Sequence, residues 1–241
     1  MKWLVCLCAA LPAAVWAGGT CNVRSSATAP IVVELYTSEG CSSCPPADRW
    51  LSTLKGRPEV LALAFHVTYW DRLGWPDRFA RPEFTQRQYA LAQQAGRSNV
   101  YTPQVVVNGE DWRRWPQLPA ATAAATATDA AMPVLSLARE GDVVSLSVAP
   151  AAGLNARWAG HWVVLEDSHR SRVSAGENAG ETLEHDHVVR HFQPVAAWPA
   201  GAGRKQQLRV SRGDANFPRR VAFIVVDAAT QKPLQAVTLA C

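Results

Sequence analysis

Hydrophobic and polar positions follow different patterns in the two halves of the chain. Before the Met132-Pro133 pair, short apolar runs alternate with stretches of helical character, a pattern typical of α/β proteins. After that pair, strand patterns follow one another without a convincing helix, which favours a small β-sandwich. The chain therefore predicts two domains, one over residues 28–132 and a β-rich accessory domain over residues 133–241.

The first half predicts three strands and three helices. Its strands are short apolar runs rich in β-branched residues, and the Asn108-Gly109 pair after the third strand favours a hairpin turn. The predicted strands cover residues 31–36, 60–66 and 104–107, and the predicted helices cover residues 46–55, 82–95 and 118–131. In the second half, the predicted strands cover residues 134–138, 143–148, 162–165, 208–210, 221–226 and 237–239.

Composition places the chain among globular proteins. Of its 241 residues, 48% are hydrophobic and 18% charged, which excludes disorder, and neither a glycine repeat nor a long heptad pattern is present. The net charge is +4, but the basic residues are scattered rather than arranged in a stripe. A solubilising surface explains them better than nucleic-acid binding, for which no motif is visible.

The first seventeen residues have the pattern of an export signal. Lys2 precedes an uncharged apolar run over residues 3–16, and Val15-Trp16-Ala17 offers small residues for cleavage. No later stretch reaches the apolar length that spans a bilayer, so we expect no stable membrane insertion. We predict a cleaved signal over residues 1–17 and a periplasmic or secreted protein.

Cleavage of that signal leaves four cysteines. Cys41 and Cys44 are separated by two residues and are natural partners in an oxidising compartment, which leaves Cys21 to pair with Cys241. A bond between the two ends would stabilise the fold by about 5 kcal/mol in the chain-entropy description. The alternative is that both terminal cysteines are unpaired thiols.

The strongest chemical signal is the C-x-x-C motif between a predicted strand and a predicted helix. Unpaired N–H groups at a helix N-terminus stabilise a thiolate, so Cys41 is the expected nucleophile and Cys44 the resolving thiol. The alternatives are an inert disulfide and half of a metal site. A zinc site needs two further ligands, and no second C-x-x-C or H-x-x-H pair is present, so we predict neither a metal nor an organic cofactor.

A second segment supports redox chemistry. Pro103 opens a predicted strand and would be a cis-proline facing the two cysteines, as in dithiol folds, where the preceding backbone pairs with the substrate. Thr102 would make that contact. An ordinary trans proline at the start of a strand is the alternative.

Four stretches of the chain carry a family resemblance. They are VELYTSEGCSSCPPAD at residues 33–48, AFHVTYWD at 64–71, YTPQ at 101–104 and GENAG at 176–180. Together they resemble the exported thioredoxin-like family catalogued as domain of unknown function 1223. The resemblance implies an α/β, thioredoxin-like domain with a mixed central sheet flanked by helices, followed by a small β-sandwich-like domain. It also implies that Cys41 attacks, Cys44 resolves and cis-Pro103 faces them, with Ser42-Ser43 in place of the Gly-Pro of thioredoxin itself.

Glu34 is a candidate base for the resolving thiol. It lies seven residues before Cys41 on a strand otherwise built for burial, close to where thioredoxins keep a buried carboxylate. Burial would raise the pKa of Glu34 and let it accept a proton near neutral pH. The alternatives are that Glu34 faces solvent or pairs with an arginine.

Two residues after the second strand are candidates for substrate binding. His66 and Trp70 lie where a loop near the dithiol is expected, and aromatic residues on loops often build recognition surfaces. A purely structural role, with Trp70 covering the core, is an equal alternative. His185, His187 and His191 also lie close together, but their spacing matches no familiar zinc pattern, which favours solvated histidines.

These features predict an exported thiol–disulfide oxidoreductase that acts on protein or small-molecule thiols and disulfides, with a membrane redox protein as a further expected partner. One alternative is a binding module in which the Cys41–Cys44 bond is structural and the aromatic loop or the β-rich domain engages a partner. The other is a periplasmic copper carrier that uses the same thiols with His66.

Overall fold

The structure, a computed structural model, describes residues 21–118 and 132–241. Strands predominate in these residues, and helices and 3₁₀ turns connect some of them. The strands are β1 (Cys21–Arg24), β2 (Ile31–Thr37), β3 (Val60–His66), β4 (Gln104–Val107), β5 (Glu110–Asp111), β6 (Leu135–Glu140), β7 (Val143–Val148), β8 (Arg157–Glu166), β9 (His169–Arg172), β10 (Thr182–His185), β11 (Val188–Pro199), β12 (Arg204–Arg209), β13 (Arg219–Asp227) and β14 (Pro233–Leu239). The helices are α1 (Pro45–Ser52) and α2 (Pro82–Gln94), and the 3₁₀ turns cover Thr68–Leu73 and Ala200–Ala202.

One eight-stranded sheet joins strands from both halves of the chain. Its strand order is β14-β13-β8-β11-β3-β2-β4-β5. β2 and β3 are parallel along their whole length, and β3 also pairs in parallel with β11, where Ala64 lies opposite Val188. The other neighbours in this sheet are antiparallel.

The predicted fold class is wrong. The sequence patterns predict an α/β half followed by a small β-sandwich, and the family resemblance implies a helix-flanked, thioredoxin-like first domain. The described chain is instead mostly β, and its main sheet continues from the first half into the second. The physical reason is that hydrophobic periodicity reports which residues are buried and not which distant strand they pair with. The third predicted helix, residues 118–131, lies almost wholly outside the described residues, and the domain boundary near residue 132 stays a prediction.

β2 carries apolar side chains on both faces because each face is covered. Val33 and Leu35 pack against α1 on one face. On the other face, Tyr36 stacks on Phe65, whose ring meets Phe84 of α2 edge-on. The loop that carries the C-x-x-C motif begins at the carboxyl end of β2, beside the carboxyl end of the parallel β3, which is the usual place for a functional site in such a sheet.

A second sheet completes the core of the later strands. Its four strands, in the order β1-β6-β7-β12, pack on β8 and β13. The buried side chains between the two sheets include Trp158, Trp162 and Phe223. Phe223 lies over Gly160, where a side chain would collide with the ring.

A disulfide ties the first described strand to the end of the chain. Cys21 in β1 is bonded to Cys241, with 6.5 Å between their Cα atoms, which is the pairing that the sequence predicts. Arg139 of β6 supports this end by donating from Nη1 to the carbonyl oxygen of Cys241 at 3.2 Å. The predicted signal lies outside the described residues, and among those described no helix is long and apolar enough to cross a membrane.

Candidate functional site

The Cys41–Cys44 disulfide lies between the end of β2 and the start of α1. Cys44 is the N-cap of α1, and prolines occupy its first turn, where a missing N–H is tolerated. The two cysteines have 5.4 Å between their Cα atoms, and both are fully buried, whereas the two serines between them are exposed. The bond therefore lies just below the surface at the positive end of a helix.

Thr102 contacts the disulfide, and Trp70 in turn contacts Thr102. The Thr102–Pro103 peptide bond is cis, in the form that the sequence predicts. The Thr102 hydroxyl donates to Cys41 Sγ at 3.3 Å and accepts from the Trp70 indole Nε1 at 2.8 Å. Trp70 thereby holds the hydroxyl that contacts the expected nucleophile, so the structure brings these predicted site residues together.

The loop between β9 and β10, residues 173–181, also covers the disulfide. Asn178 is buried, and its side-chain Nδ2 donates to the carbonyl oxygens of Glu39 at 2.8 Å and Cys41 at 3.0 Å. The Glu177 carboxylate accepts from the backbone N–H of Ser42 at 3.0 Å and from its hydroxyl at 2.7 Å. The family resemblance includes this loop, but no local pattern reveals these roles, because the contacts join segments far apart in the chain.

A buried group of acids and histidines lies next to the C-x-x-C motif. Glu39 accepts from Trp75 Nε1 at 2.8 Å, and its backbone N–H donates to Asp77 Oδ2 at 2.9 Å. The same Asp77 oxygen lies 2.7 Å from His66 Nδ1, and Glu39 Oε1 lies 3.2 Å from His185 Nε2. The residues Glu39, His66, Asp77 and His185 are termed the acid–histidine cluster.

This cluster favours charged side chains in spite of its burial. Burial disfavours ionisation of Asp77, but the His66 charge and several hydrogen bonds lower its pKa to about 2. Burial also opposes protonation of His66, but the Asp77 carboxylate outweighs it and raises the pKa of His66. For Glu39, burial acts to raise the pKa, but the nearby His185 imidazole and the hydrogen bond from Trp75 outweigh it and lower the pKa. His66 is fully buried and contacts Asp77 within this cluster, so its predicted contact with a substrate stays a prediction.

Asp48 is a buried carboxyl group one helical turn after Cys44. Its backbone N–H donates to the Cys44 carbonyl at 3.1 Å, and the Thr37 hydroxyl donates to its carboxyl at 3.1 Å. Burial raises the pKa of Asp48 and outweighs the nearby histidines, which lower it. Asp48 was not predicted as a site residue, although it shares the buried face of α1 with Ala47 and Leu51.

Glu34 faces the other side of the sheet. Its carboxylate accepts from Arg87 Nε at 2.9 Å, from Arg87 Nη2 at 2.7 Å and from the Tyr36 hydroxyl at 2.7 Å. Burial acts to raise the pKa of Glu34, but the Arg87 guanidinium and these hydrogen bonds lower it. Glu34 is therefore the carboxylate of an ion pair with Arg87, which is one of the two alternatives that the sequence left open. The structure does not bring Glu34 to the cysteines.

The remaining histidines of the sequence cluster have other partners. His187 Nδ1 lies 3.0 Å from Arg220 Nη2, and the exposed His191 lies 3.3 Å from Gln193 Oε1. Within the part of the chain that the structure describes, no group of three or more His, Cys, Asp or Glu side chains has the arrangement of a metal site.

The region that contains the site matches a known family model. That model, described as "Protein of unknown function (DUF1223)", matches residues 32–226. No curated protein matches the chain. Among solved structures, the X-ray structure of protein AGR_C_4864 from Agrobacterium tumefaciens is 27% identical, covers 90% of this chain and 96% of its own, and superposes with a TM-score of 0.67. HBP35 of Porphyromonas gingivalis is 17% identical over 90% of this chain and 76% of its own, with a TM-score of 0.59, which shows a similar fold alone.

Proposed function

Because the chain belongs to the family described as "Protein of unknown function (DUF1223)", we propose its activity from the site itself: exchange of thiols and disulfides through Cys41 and Cys44. The observation that carries the proposal is the Thr102 hydroxyl, next to cis-Pro103, at 3.3 Å from Cys41 Sγ. A hydrogen bond to this sulfur and the nearby N-terminus of α1 both stabilise a thiolate there. We expect the backbone before the proline to pair with an incoming chain.

The cysteine usage supports a place outside the cytoplasm. Two disulfides, Cys21–Cys241 and Cys41–Cys44, favour an oxidising compartment, because cytosolic thiols are kept reduced. The pattern over residues 1–17 is that of an export signal. We therefore propose a periplasmic or secreted protein whose partners are thiols and disulfides of proteins or small molecules, with a membrane redox protein to recycle it.

The proposed exchange needs both cysteines. In the reductive direction, the Cys41 thiolate attacks one sulfur of a substrate disulfide and forms a mixed disulfide, while the other substrate sulfur leaves as a thiolate and takes a proton from water. Cys44 then loses its proton and attacks Cys41 Sγ, which releases the second substrate sulfur. The substrate gains two electrons, and the chain loses two as the Cys41–Cys44 bond forms. A dithiol that attacks this bond reverses the change, so oxidation of a substrate follows the same steps backwards.

Asp48 is the proposed proton acceptor for Cys44. It lies one turn along the same helix, and burial raises its pKa, which makes its carboxylate a stronger base than an exposed aspartate. Its hydrogen bond from Thr37 positions the carboxyl group. Glu34 does not serve this step, because Arg87 already neutralises its charge on the other face of the sheet.

The burial of Cys41 supports a second function. Its sulfur is covered, and the loop over residues 173–181 bonds to its backbone and to Ser42. If this loop stays closed, the Cys41–Cys44 bond is a structural clamp in a binding module, and neither thiol exchanges.

Trapping experiments distinguish the two functions. Cys44→Ser leaves Cys41 as the remaining thiol of the pair, so this variant should accumulate a mixed disulfide with a scrambled-disulfide test protein, visible on non-reducing gels. Cys41→Ser is the matched control: it also keeps one thiol of the pair, but Cys44 should not form the adduct. In Cys44→Ser, alkylation of Cys41 against pH should give a pKa below the value of about 8.5 for a free cysteine. Equal inertness of both variants, with a Cys41 pKa near that of free cysteine, would establish the structural clamp instead.

A further inference from the structure

A cavity between β11, β12 and β13 is lined by four arginines. Its volume is about 580 Å³, within the range of sites that bind small molecules. The arginines come from the residue before α2 and from β11, β12 and β13, and they are termed the arginine cluster: Arg81, Arg190, Arg209 and Arg219. The cavity is separate from the disulfide site, and the proposed exchange reaction does not use it.

The arginine cluster carries more positive charge than nearby carboxylates compensate. Among the described residues that line the cavity there is no Asp or Glu. Glu166, behind the cluster, is shared by two of its members, with Oε2 at 3.2 Å from Arg190 Nε and Oε1 in a close ion pair with Arg219. Glu166 also contacts His169 at 2.9 Å, so this one carboxylate is shared among two arginines and a histidine.

The crowding of like charges is visible at Arg190. Burial lowers the pKa of this guanidinium, and the neighbouring charges of Arg81 and Arg78 lower it further, while Glu166 opposes them. Guanidinium groups held together without enough counter-charge repel one another. An anion bound among them would remove this repulsion, which is a thermodynamic reason for a ligand in the cavity.

Two members of the cluster are held in place before any ligand binds. Arg219 donates from Nη1 to the Ser211 carbonyl oxygen at 2.9 Å and from Nε to Glu166 Oε1 at 3.0 Å. The guanidinium of Arg190 lies over the Phe79 ring, 5.3 Å from its centre. Groups fixed in this way lose little conformational entropy on binding. Arg81 and Arg209 are exposed and free to adjust to the ligand.

We propose that the arginine cluster binds a phosphate-bearing ligand with two or more negative charges. The guanidinium fork donates two parallel hydrogen bonds to phosphate oxygens and is only weakly hydrated. Four such groups that approach from separate segments suit a tetrahedral group with several oxygens better than a planar carboxylate. A free phosphorylated small molecule and a phospholipid headgroup present the same chemistry to this cavity.

Calorimetry of the full chain with inorganic pyrophosphate tests the proposal. We expect saturable binding at constant ionic strength, and we expect Arg81→Gln with Arg209→Gln to weaken it by about tenfold or more, because each lost charged hydrogen bond is significant. The matched control, Arg24→Gln with Arg57→Gln, removes the same charge elsewhere and should leave binding unchanged. In thermal unfolding without ligand, the cluster double variant should be at least as stable as the unchanged protein, because its replaced side chains are exposed and their removal relieves the repulsion within the cluster.

A second arm identifies the source of the phosphate. Co-sedimentation with phosphatidylglycerol vesicles, against phosphatidylcholine vesicles, measures binding to lipid. If pyrophosphate binds and the cluster double variant weakens that binding, the ligand is a free phosphorylated molecule. If only the phosphatidylglycerol vesicles bind, and the same variant weakens that binding, the ligand is a phospholipid headgroup. The proposal is overturned if neither probe binds, if both double variants weaken binding equally, or if citrate binds as tightly as pyrophosphate.

Discussion

Glu34 and Asp48 are both buried carboxyl groups close to the C-x-x-C motif in sequence, but their surroundings are opposite. Burial acts to raise the pKa of both groups. The Arg87 guanidinium overcomes it and lowers the pKa of Glu34, whereas the pKa of Asp48 stays raised in spite of its hydrogen bond from Thr37. Alternate residues of β2 face opposite sides of the sheet, and because Leu35 faces α1, Glu34 must face α2. A carboxylate already paired with a guanidinium is a weak base, which is why proton transfer is assigned to Asp48.

Replacement of Asp48 distinguishes a role in proton transfer from a role in the stability of the fold. We expect Asp48→Asn to slow resolution of the mixed disulfide by about 100-fold near neutral pH, the contribution of a typical general base, with recovery at high pH as Cys44 ionises unaided. Folding raises the pKa of Asp48 above its value in the unfolded chain. The stability that the protonated carboxyl group contributes is therefore fully present below the unfolded-state pKa and is lost as pH rises through the folded-state pKa. At neutral pH the variant should therefore be at least as stable as the parent. Rapid-mixing kinetics measures the rate of resolution, and urea unfolding measures the stability. If Asp48→Asn is less stable than the parent but resolves the mixed disulfide equally fast, Asp48 is not the proton acceptor.

Glu34→Gln should have the opposite profile. It leaves the buried Arg87 without its charge partner, and breaking such a pair costs about 3–5 kcal/mol, measurable by urea unfolding at neutral pH. Folding lowers the pKa of Glu34, so its stabilisation is present above the unfolded pKa and is lost as pH falls through the folded pKa. The stability difference should therefore narrow on acidification, while the pH profile of exchange stays unchanged. Glu59→Gln, at an exposed acid, is the control and should barely affect stability.

At the scale of elements, local patterns located much of the first half. The predicted strands over residues 31–36, 60–66 and 104–107 correspond to β2, β3 and β4, and the predicted helix over 82–95 corresponds to α2. The patterns do not predict β11, because most of its residues are polar or exposed and Pro194 lies inside it. Neither an alternation of apolar and polar residues nor an apolar run therefore marks this strand.

Within the candidate site, the sequence likewise predicts the residues that a local motif marks and not those that depend on long-range contacts. Cys41, Cys44 and Pro103 were recognisable because a motif of fixed spacing or a strand start marks each of them. Asn178 was not, because its role depends on a long-range contact from the β9–β10 loop. The apolar character of both faces of β2 likewise concealed which face Glu34 occupies.

The β9–β10 loop should control access to the disulfide. Asn178→Ala removes two hydrogen bonds that hold the loop on Glu39 and Cys41, and at about 0.5–1.5 kcal/mol each their loss should make opening easier. We expect reduction of Cys41–Cys44 by a small dithiol to become about tenfold faster, measured by time-resolved alkylation and mass spectrometry. Glu177→Gln is the control, because it weakens contacts only to the exposed Ser42 and should have a smaller effect. An unchanged rate in Asn178→Ala would show that access does not depend on this loop.

At the scale of the whole molecule, the main sheet contains strands from both sequence halves, so the structure of each half depends on the other. The parallel pairing of β3 with β11 places a strand of the second half beside β3, which in turn pairs with β2, the strand that leads into the C-x-x-C loop. The acid–histidine cluster crosses the same junction, since His185 of β10 meets Glu39 beside the motif. The later strands therefore help to build the candidate site, and we expect the halves to unfold together.

The two disulfides provide a test of that dependence. Cys21 and Cys241 are 220 residues apart in sequence, whereas Cys41 and Cys44 are 3 apart. In the chain-entropy description, loss of the long link lowers the unfolding free energy by about 5 kcal/mol, and loss of the short link by about 2 kcal/mol. Cys21→Ser with Cys241→Ser should therefore be much less stable than Cys41→Ser with Cys44→Ser, its matched control, in urea. Because one sheet joins both halves, each variant should unfold in a single transition that circular dichroism and tryptophan fluorescence report alike. Two separate transitions, with the terminal link affecting only one of them, would show instead that residues 28–132 and 133–241 fold as independent domains.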